Sequence, residues 1–467
     1  MFEVVSGRVK IPPQASPDRL PALREQFLQE VMRRRQTMAT ADAQTIARMV
    51  QEVFQAVRET VRAQEGLEIP DVWVEEAILQ AQFPALGTLL RVLAEDGVED
   101  LALNLRHLYV YRTGVGWEYR GALPPEVFPA LRALMDREGF APPRPDFPIA
   151  DAALRLVLPR GGTTETLLLR VLYVAPPASP YGDLVTIRVA RYGKRFRGDT
   201  FTTGRLPPEA VAVRPLPELP ETPQGAIPAR AFRYLVGVLA RGGVVIVAGA
   251  TGSGKTSLAK ALLQEMLDLY PKGALRLFVI EDTPEIVLHG WRGDPEEDTG
   301  NIVYTLTRGE IPGGPPPITA YDLIRAALRA RPHGIVIGEA RGAEAWELIR
   351  AAATGHGHSI FTLHATSLDQ VWDRFLQAVR AHPEVRGLPV EAVAQDFARA
   401  VTAVAFIARD RLHGQAVRAV AEVAPVVEGS RVAFTVLWEF DPRAGRPVEA
   451  RLRQPVRPGF TFTELGV

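Results

Sequence analysis

Residues 244–256 read Val244-Val245-Ile246-Val247-Ala248-Gly249-Ala250-Thr251-Gly252-Ser253-Gly254-Lys255-Thr256. The first five are apolar and mostly β-branched, the composition of a strand buried in a parallel sheet. Gly249 to Thr256 then completes the pattern G-x-x-x-x-G-K-T. From Ser257 to Leu269, apolar residues recur at Leu258, Ala259, Leu262, Leu263 and Met266, a helical spacing. Strand, glycine loop and helix follow in the order that a phosphate-binding loop requires. Glycines let the backbone curl so that its N–H groups face phosphate oxygens, and the helix N-terminus adds a favourable dipole. The expected nucleotide contacts are Gly249, Thr251, Gly252, Ser253, Gly254, Lys255, Thr256 and Ser257. Lys255 has the reach for β- and γ-phosphates, and the Thr256 hydroxyl suits Mg²⁺. The alternative is a Gly/Ser turn with an incidental lysine, which both flanks disfavour. A nucleoside triphosphate ligand, ATP with Mg²⁺, is the expectation.

Composition sets the bounds. The chain has 467 residues, enough for two to four domains, with a formal net charge of zero and 47% hydrophobic residues. That is ordinary for a soluble globular protein and gives no sign of a generally basic nucleic-acid binder, though a local basic channel stays compatible with it. No apolar run approaches the roughly 18 residues of a membrane span, and the N-terminus lacks a signal-peptide pattern. A cytoplasmic protein is expected, with any membrane association made through a partner. Cysteine is absent, which excludes disulfides, thiolate metal sites and cysteine nucleophiles.

Four segments are expected. Residues 1–84 form a helical extension, with one apolar stripe through Leu20, Leu23, Phe27, Val31 and Met32 and another from Ile46 to Val61. Arg33-Arg34-Arg35 between them reads as a solvated face or helix-end charge. Residues 85–204 form an α+β domain, with strands at 101–103, 108–111, 154–158, 167–174 and 184–187. Residues 205–228 carry seven prolines, from Pro207 to Pro228, and read as a semi-rigid linker. Residues 229–467 alternate helix and strand, the α/β order of a nucleotide-binding parallel sheet. Strands are expected at 244–248, 275–280, 335–337 and 359–363, with helices at 229–239, 320–331, 369–381 and 390–403. Short β segments follow around 417–424 and 432–440.

Two acidic clusters stand directly after strands of this last segment: Glu281-Asp282-Thr283-Pro284-Glu285 and Gly338-Glu339-Ala340-Arg341-Gly342. Ligands bind at the carboxyl ends of parallel strands, where such carboxylates hold Mg²⁺ and position water. Thr354-Gly355-His356-Gly357-His358-Ser359-Ile360-Phe361-Thr362-Leu363-His364-Ala365 admits three readings. A metal site is one, although the spacing is not a helical zinc pattern. Sensing of the γ-phosphate or the carboxylates by Thr362 and His364 is another, and a core histidine the third.

These blocks, in this order, resemble the secretion ATPase superfamily, the hexameric motors of type II secretion, type IV pili, archaeal flagella and conjugative type IV secretion. Gly249 to Thr256 resembles its Walker A box, Ile280 to Glu285 its Asp box, Arg329 to Gly342 its Walker B, and Thr354–His356 with Thr362–Ala365 its His box. Residues 90–200, including Thr186-Ile187-Arg188, resemble the family's N-terminal domain. The tail from Ala421 through Trp438-Glu439-Phe440-Asp441-Pro442 resembles the tight-adherence or conjugative branch. His358 departs from the pattern, which usually has glycine there, and the four-cysteine motif of the type II branch is missing.

The resemblance implies an α/β fold: a RecA-like P-loop ATPase domain with a parallel sheet, preceded by an α+β, PAS-like domain and the helical extension. It implies a Mg-dependent ATPase in which Glu281 or Glu339 orients the attacking water, Glu281 being preferred. Thr256, Glu339 and Asp282 would hold Mg²⁺, and His364 and His356 would couple nucleotide state to neighbouring elements. Arg188, Arg308 and Arg331 are the preferred candidates for nucleotide contact or intersubunit sensing, ahead of Arg329 and Arg341. A surface salt bridge is the alternative for every one of these arginines. The implied partners are five further copies in a homo-hexamer and an inner-membrane platform or channel protein. The implied work is pilus assembly or macromolecule secretion, with the front domain rocking against the ATPase domain about the linker. The alternative is a DNA-translocating, DNA-export ATPase with DNA as partner. A third reading is a nucleotide-gated assembly protein with negligible turnover.

Overall fold

The computed structural model describes residues 3–5, 8–10, 19–38, 41–112, 114–160, 163–191, 214–217, 226–288, 300–410, 414–425, 427, 429–440 and 452–467. A short antiparallel pair, β1 (Glu3–Val5) and β2 (Arg8–Lys10), precedes three helices, α1 (Leu20–Gln36), α2 (Ala43–Glu65) and α3 (Val72–Gln82). Asp42 starts α2 by accepting a hydrogen bond from Thr45 N at 2.7 Å, and Gly66 ends it at φ +65°. The two apolar stripes meet one another and Trp73 in a small core of their own.

The α+β segment is a six-stranded antiparallel sheet. Its strands are β3 (Val98–Asn104), β4 (His107–Arg112), β5 (Gly116–Ala122), β6 (Ile149–Arg160), β7 (Thr163–Val174) and β8 (Leu184–Arg191), in the order β5-β4-β3-β8-β7-β6. Alternation sorts its faces. Leu101, Leu103, Leu108 and Val110 turn towards α4 (Gly87–Leu93) and α5 (Val127–Arg137). Ala102, Tyr109, Tyr111 and Trp117 form a separate cluster on the other face.

The last segment has an eight-stranded sheet. In chain order come α6 (Ala229–Ala240), β9 (Val244–Gly249), α7 (Lys255–Asp268), β10 (Leu277–Glu281), β11 (Ile302–Leu306), α8 (Ala320–Ala327), β12 (Gly334–Ala340) and α9 (Glu344–Ala353). There follow β13 (Ser359–His364), α10 (Gln370–Val379), α11 (Val390–Ala400), β14 (Ala403–Asp410), β15 (Gly414–Val423), β16 (Phe434–Glu439) and α12 (Phe462–Leu465). The strand order is β11-β10-β12-β13-β9-β14-β15-β16, parallel through β14 and antiparallel beyond it. Both faces are covered. Val244, Ile246 and Ala248 pack into one core with α8 to α11, and Val245 and Val247 into another with α6 and α7.

The expected strands of this sheet are present, with β11, β14 and helix α9 in addition. The run Ala403-Val404-Ala405-Phe406-Ile407 follows α11 with only Val401 and Thr402 between, and a short apolar run fits strand and helix alike. Of the expected linker, only 214–217 and 226–228 fall among the described residues; Pro207, Pro208, Pro220 and Pro223 lie outside them, as do Asp441 and Pro442. Arg214 N donates to Leu269 O at 2.8 Å, which holds the short described stretch against the C-terminal end of α7. Among the described residues no helix is long and apolar enough to cross a membrane.

Candidate active site

β9 ends at Gly249, and the chain turns through Gly252 (φ +72°) and Gly254 (φ +94°) into α7. Those left-handed backbone angles are strained for any residue with a Cβ, and glycine avoids that cost. Gly249 is needed for a different reason. A Cβ on it would lie 2.3 Å from Ile407 O and 2.5 Å from Ser253 Oγ. The missed strand β14 therefore forms the wall behind the loop.

In front of the loop lies a cleft of about 840 Å³, within the usual size of ligand sites. Thr251, Gly252, Gly254, Lys255, Thr256 and Ser257 line one side, and Glu281, Asp282, Glu285, Gly338, Glu339 and Arg341 the other. Lys255 Nζ donates to Ala250 O at 3.0 Å. Burial lowers the lysine's pKa, with the Glu339 carboxylate opposing that shift. A phosphate between the N–H groups of the α7 terminus and this ammonium would relieve the burial cost, so the donors present fit a polyphosphate.

Glu281 is the last residue of β10 and only 6% exposed. Its Oε1 accepts from Ile286 N at 3.0 Å and Glu285 N at 3.2 Å. Burial pushes the carboxyl up to about 7, the backbone N–H groups pull it part of the way back, and Glu285 and Asp282 add to the rise. Glu339 sits at the end of the adjacent strand β12 in an ion pair with Arg341, which also reaches Asp282 at 3.5 Å. The two carboxylates thus differ in kind: one is desolvated and near neutrality, the other solvated and paired. Two such environments side by side suit a proton acceptor beside a cation ligand. Asp282, Glu339 and the Thr256 hydroxyl border the same cleft and fit the oxygen donors that Mg²⁺ takes.

Residues 222–422 match the family described as "Type II/IV secretion system protein". The type IV secretion system protein VirB11 of Brucella suis is 34% identical over 229 residues, which cover 48% of this chain and 59% of that protein. The type IV secretion system protein PtlH of Bordetella pertussis is 34% identical over 227 residues, 47% of this chain and 61% of that protein. The chain thus spans about three fifths of the length of these curated relatives. The crystal structure of the VirB11 ATPase from the Brucella suis type IV secretion system, in complex with sulphate, superposes with a TM-score of 0.55 at 28% identity. It covers 74% of this chain and 95% of that one. Residues 222–422 of this chain are thus similar to the type II/IV secretion proteins.

Against that family's pattern, His364 ends β13 with Nδ1 3.5 Å from Thr251 Oγ1, beside the phosphate loop. Thr362 donates to Gly338 O and ties β13 to the strand bearing Glu339. His356 lies before the opposite end of β13, with Nδ1 3.3 Å from Ala351 O and a pKa lowered by burial. The histidines do not gather, and among the described residues no cluster of three or more His, Cys, Asp or Glu suits a metal. His358, where secretion ATPases usually have glycine, adopts φ +51°, a left-handed conformation that explains the usual residue.

The arginines divide. Arg341 lines the cleft. Arg188, Arg308 and Arg331, ranked above it from the sequence, do not. Arg188 Nε donates to Asp100 at 2.9 Å, and Arg331 pairs with the same carboxylate and with Glu99 at 3.2 Å. Arg308 donates to Pro145 O at 2.8 Å and Asp146 O at 3.0 Å, and Arg329 pairs with Asp151. All four meet at the seam between the antiparallel sheet and the eight-stranded-sheet domain. Arg276 lies at that seam too, where a lone arginine in an expected strand carries no sequence signal of burial.

Proposed function

We propose that this chain is a Mg-dependent ATPase of a type IV secretion-type apparatus. It would work as a homo-hexameric motor that drives pilus assembly or macromolecule secretion through an inner-membrane platform or channel protein. The observation that carries the reading is the meeting of Lys255, Glu281 and Glu339 around one cleft at the carboxyl ends of adjoining parallel strands. The printed names of the similar proteins, VirB11 and PtlH, support the secretion role.

In this reading Lys255 and the N–H groups of Gly252 to Thr256 hold the phosphates. Thr256, Glu339 and Asp282 would hold Mg²⁺, which when bound would supply charge neutralisation on the phosphoryl oxygens. Glu281, with a pKa near 7, orients the attacking water and takes up its proton at a carboxylate oxygen. Arg341 holds Glu339 and Asp282 to the same edge. His364 reads the loop through Thr251. Boundaries near 84, 204 and 228 separate the extension, the α+β domain, the linker and the motor domain. The working location is the cytoplasmic face of the membrane, reached through the platform.

Lys255→Ala is expected to abolish phosphate release while leaving the fold intact. Wild-type turnover in that variant would overturn the active-site assignment. Turnover indifferent to added DNA fits a protein-export motor; stimulation by DNA that fades steeply with salt would move the reading to DNA export.

A further inference from the structure

The two strands that carry the acidic residues begin at the seam. Arg276 stands immediately before β10 and is 1% exposed. Within its own domain, Nε donates to Ala330 O at 2.8 Å and Nη1 to Asn301 Oδ1 at 2.5 Å. Across the seam, Nη1 donates to Asn104 Oδ1 of β3 at 3.2 Å and Nη2 to Thr186 Oγ1 of β8 at 3.1 Å. Its guanidinium lies 5.1 Å from the centroid of Trp117 on β5. Burial pulls its pKa down to about 9, so the charge persists at neutral pH without a carboxylate among these partners.

β12 is held in a parallel way. Arg276 N donates to His333 Nδ1 at 2.9 Å, and His333 N donates back to Arg276 O at 2.8 Å, which binds the starts of β10 and β12 together. Two residues earlier, Arg331 adopts φ +48°. Its guanidinium sits 3.5 Å over the centroid of Tyr111 and pairs with Asp100, which is fully buried. A non-glycine residue keeps this backbone only where its surroundings over-determine it. Here the surroundings are the antiparallel sheet.

From Arg276 to Glu281 is five residues of strand, about 16 Å. Those strands lie in a close-packed interior, which transmits displacement and does not absorb it. At the far end, the ladder of β12 on β13 is irregular between Ile337 and Ala340, the interval that contains Gly338 and Glu339. Glu339 therefore lacks a regular ladder partner to fix it from that side.

We propose that the N-terminal α+β domain sets the position of Glu281 and Glu339 by gripping the starts of their strands, with Arg276 and Arg331 as positioning residues. The proposal rests on the reading that both carboxylates act on bound nucleotide. Docking of the domain then tunes turnover, and nucleotide state in the cleft is felt at the seam.

The test uses the full chain carrying Asp100→Asn and Thr186→Val, which take the carboxylate from Arg331 and Arg188 and the hydroxyl acceptor from Arg276 without touching the cleft. Affinity for a fluorescent ATP analogue is expected to stay within about twofold, while kcat falls about threefold to tenfold. A lower melting temperature with kcat unchanged would overturn the proposal, because it would make the seam mere glue. Hydrogen–deuterium exchange on the wild-type chain is independent of how the variant folds. A non-hydrolysable ATP analogue with Mg²⁺ is expected to alter exchange at residues 100–104 and 184–188. Protection confined to the phosphate loop would equally overturn it. Failure of the underlying reading shows separately, as hydrolysis retained in Lys255→Ala.

Discussion

Glu281 and Gly338 face one another from adjacent strands, and a methyl group on Gly338 would lie 3.0 Å from Glu281 Cγ. The bare backbone at 338 is what gives the buried carboxylate its room. Gly338→Ala should push Glu281 off the N–H groups of Glu285 and Ile286. Misplacement of a catalytic group by about 1 Å costs on the order of a hundredfold in rate. The expected result is a kcat at least tenfold lower with nucleotide affinity within about threefold, measured by phosphate release and analogue titration. Equal losses in both would show that the methyl group disturbs the phosphate loop instead.

The raised pKa of Glu281 has two consequences. Its carboxylate form must accept the proton, so turnover should climb as pH rises to about 7 and then level off. Glu281→Gln should remove that limb along with at least a hundredfold of rate. Stability runs the other way. The folded chain keeps the proton up to about 7, whereas the unfolded chain loses it near the ordinary 4.5. Between those values the fold weakens as pH rises. Glu281→Gln is therefore expected to raise the melting temperature at pH 8 and to leave it unchanged at pH 4. An equal rise at both pH values would contradict the assigned titration.

Gly249 and its neighbours separate steric from conformational need. A Cβ at 249 meets the Ile407 carbonyl at 2.3 Å, and backbone cannot step aside cheaply. At Gly252 nothing lies within 4 Å, and only φ +72° opposes a side chain. Gly249→Ala should abolish analogue binding, whereas Gly252→Ala should cost about 1 kcal/mol of stability from left-handed strain. Comparable stability losses in thermal melts would refute the distinction.

His358 offers a cleaner measure of strain, since its ring contacts are lost equally in two replacements. Both His358→Gly and His358→Ala remove the edge contacts with Tyr270 and His333. At φ +51° the glycine variant should be the more stable of the two by about 1 kcal/mol. An alanine variant as stable as the glycine one would mean that the turn relaxes.

The amino-acid order by itself determined whatever is contiguous: the strand, glycine loop and helix at 244–268, the acidic residues that directly follow β10 and β12, and the alternation of the antiparallel sheet. Local chemistry encodes these, because a glycine at positive φ or a carboxylate at a strand end needs only its own neighbours. The apolar run of β14 is locally ambiguous, and only its pairing between β9 and β15 made it a strand. The arginines show the remaining gap. A long, always-charged side chain carries no record of its partner, so Arg308 and Arg331 read as candidates for nucleotide contact or intersubunit sensing, and only the folded chain shows their bonds to the α+β domain. Only the packing of the two sheets, which brings residues some 170 to 230 positions apart within hydrogen-bond reach, decided that Arg276 and Arg331 hold the seam and that Arg341 faces the cleft.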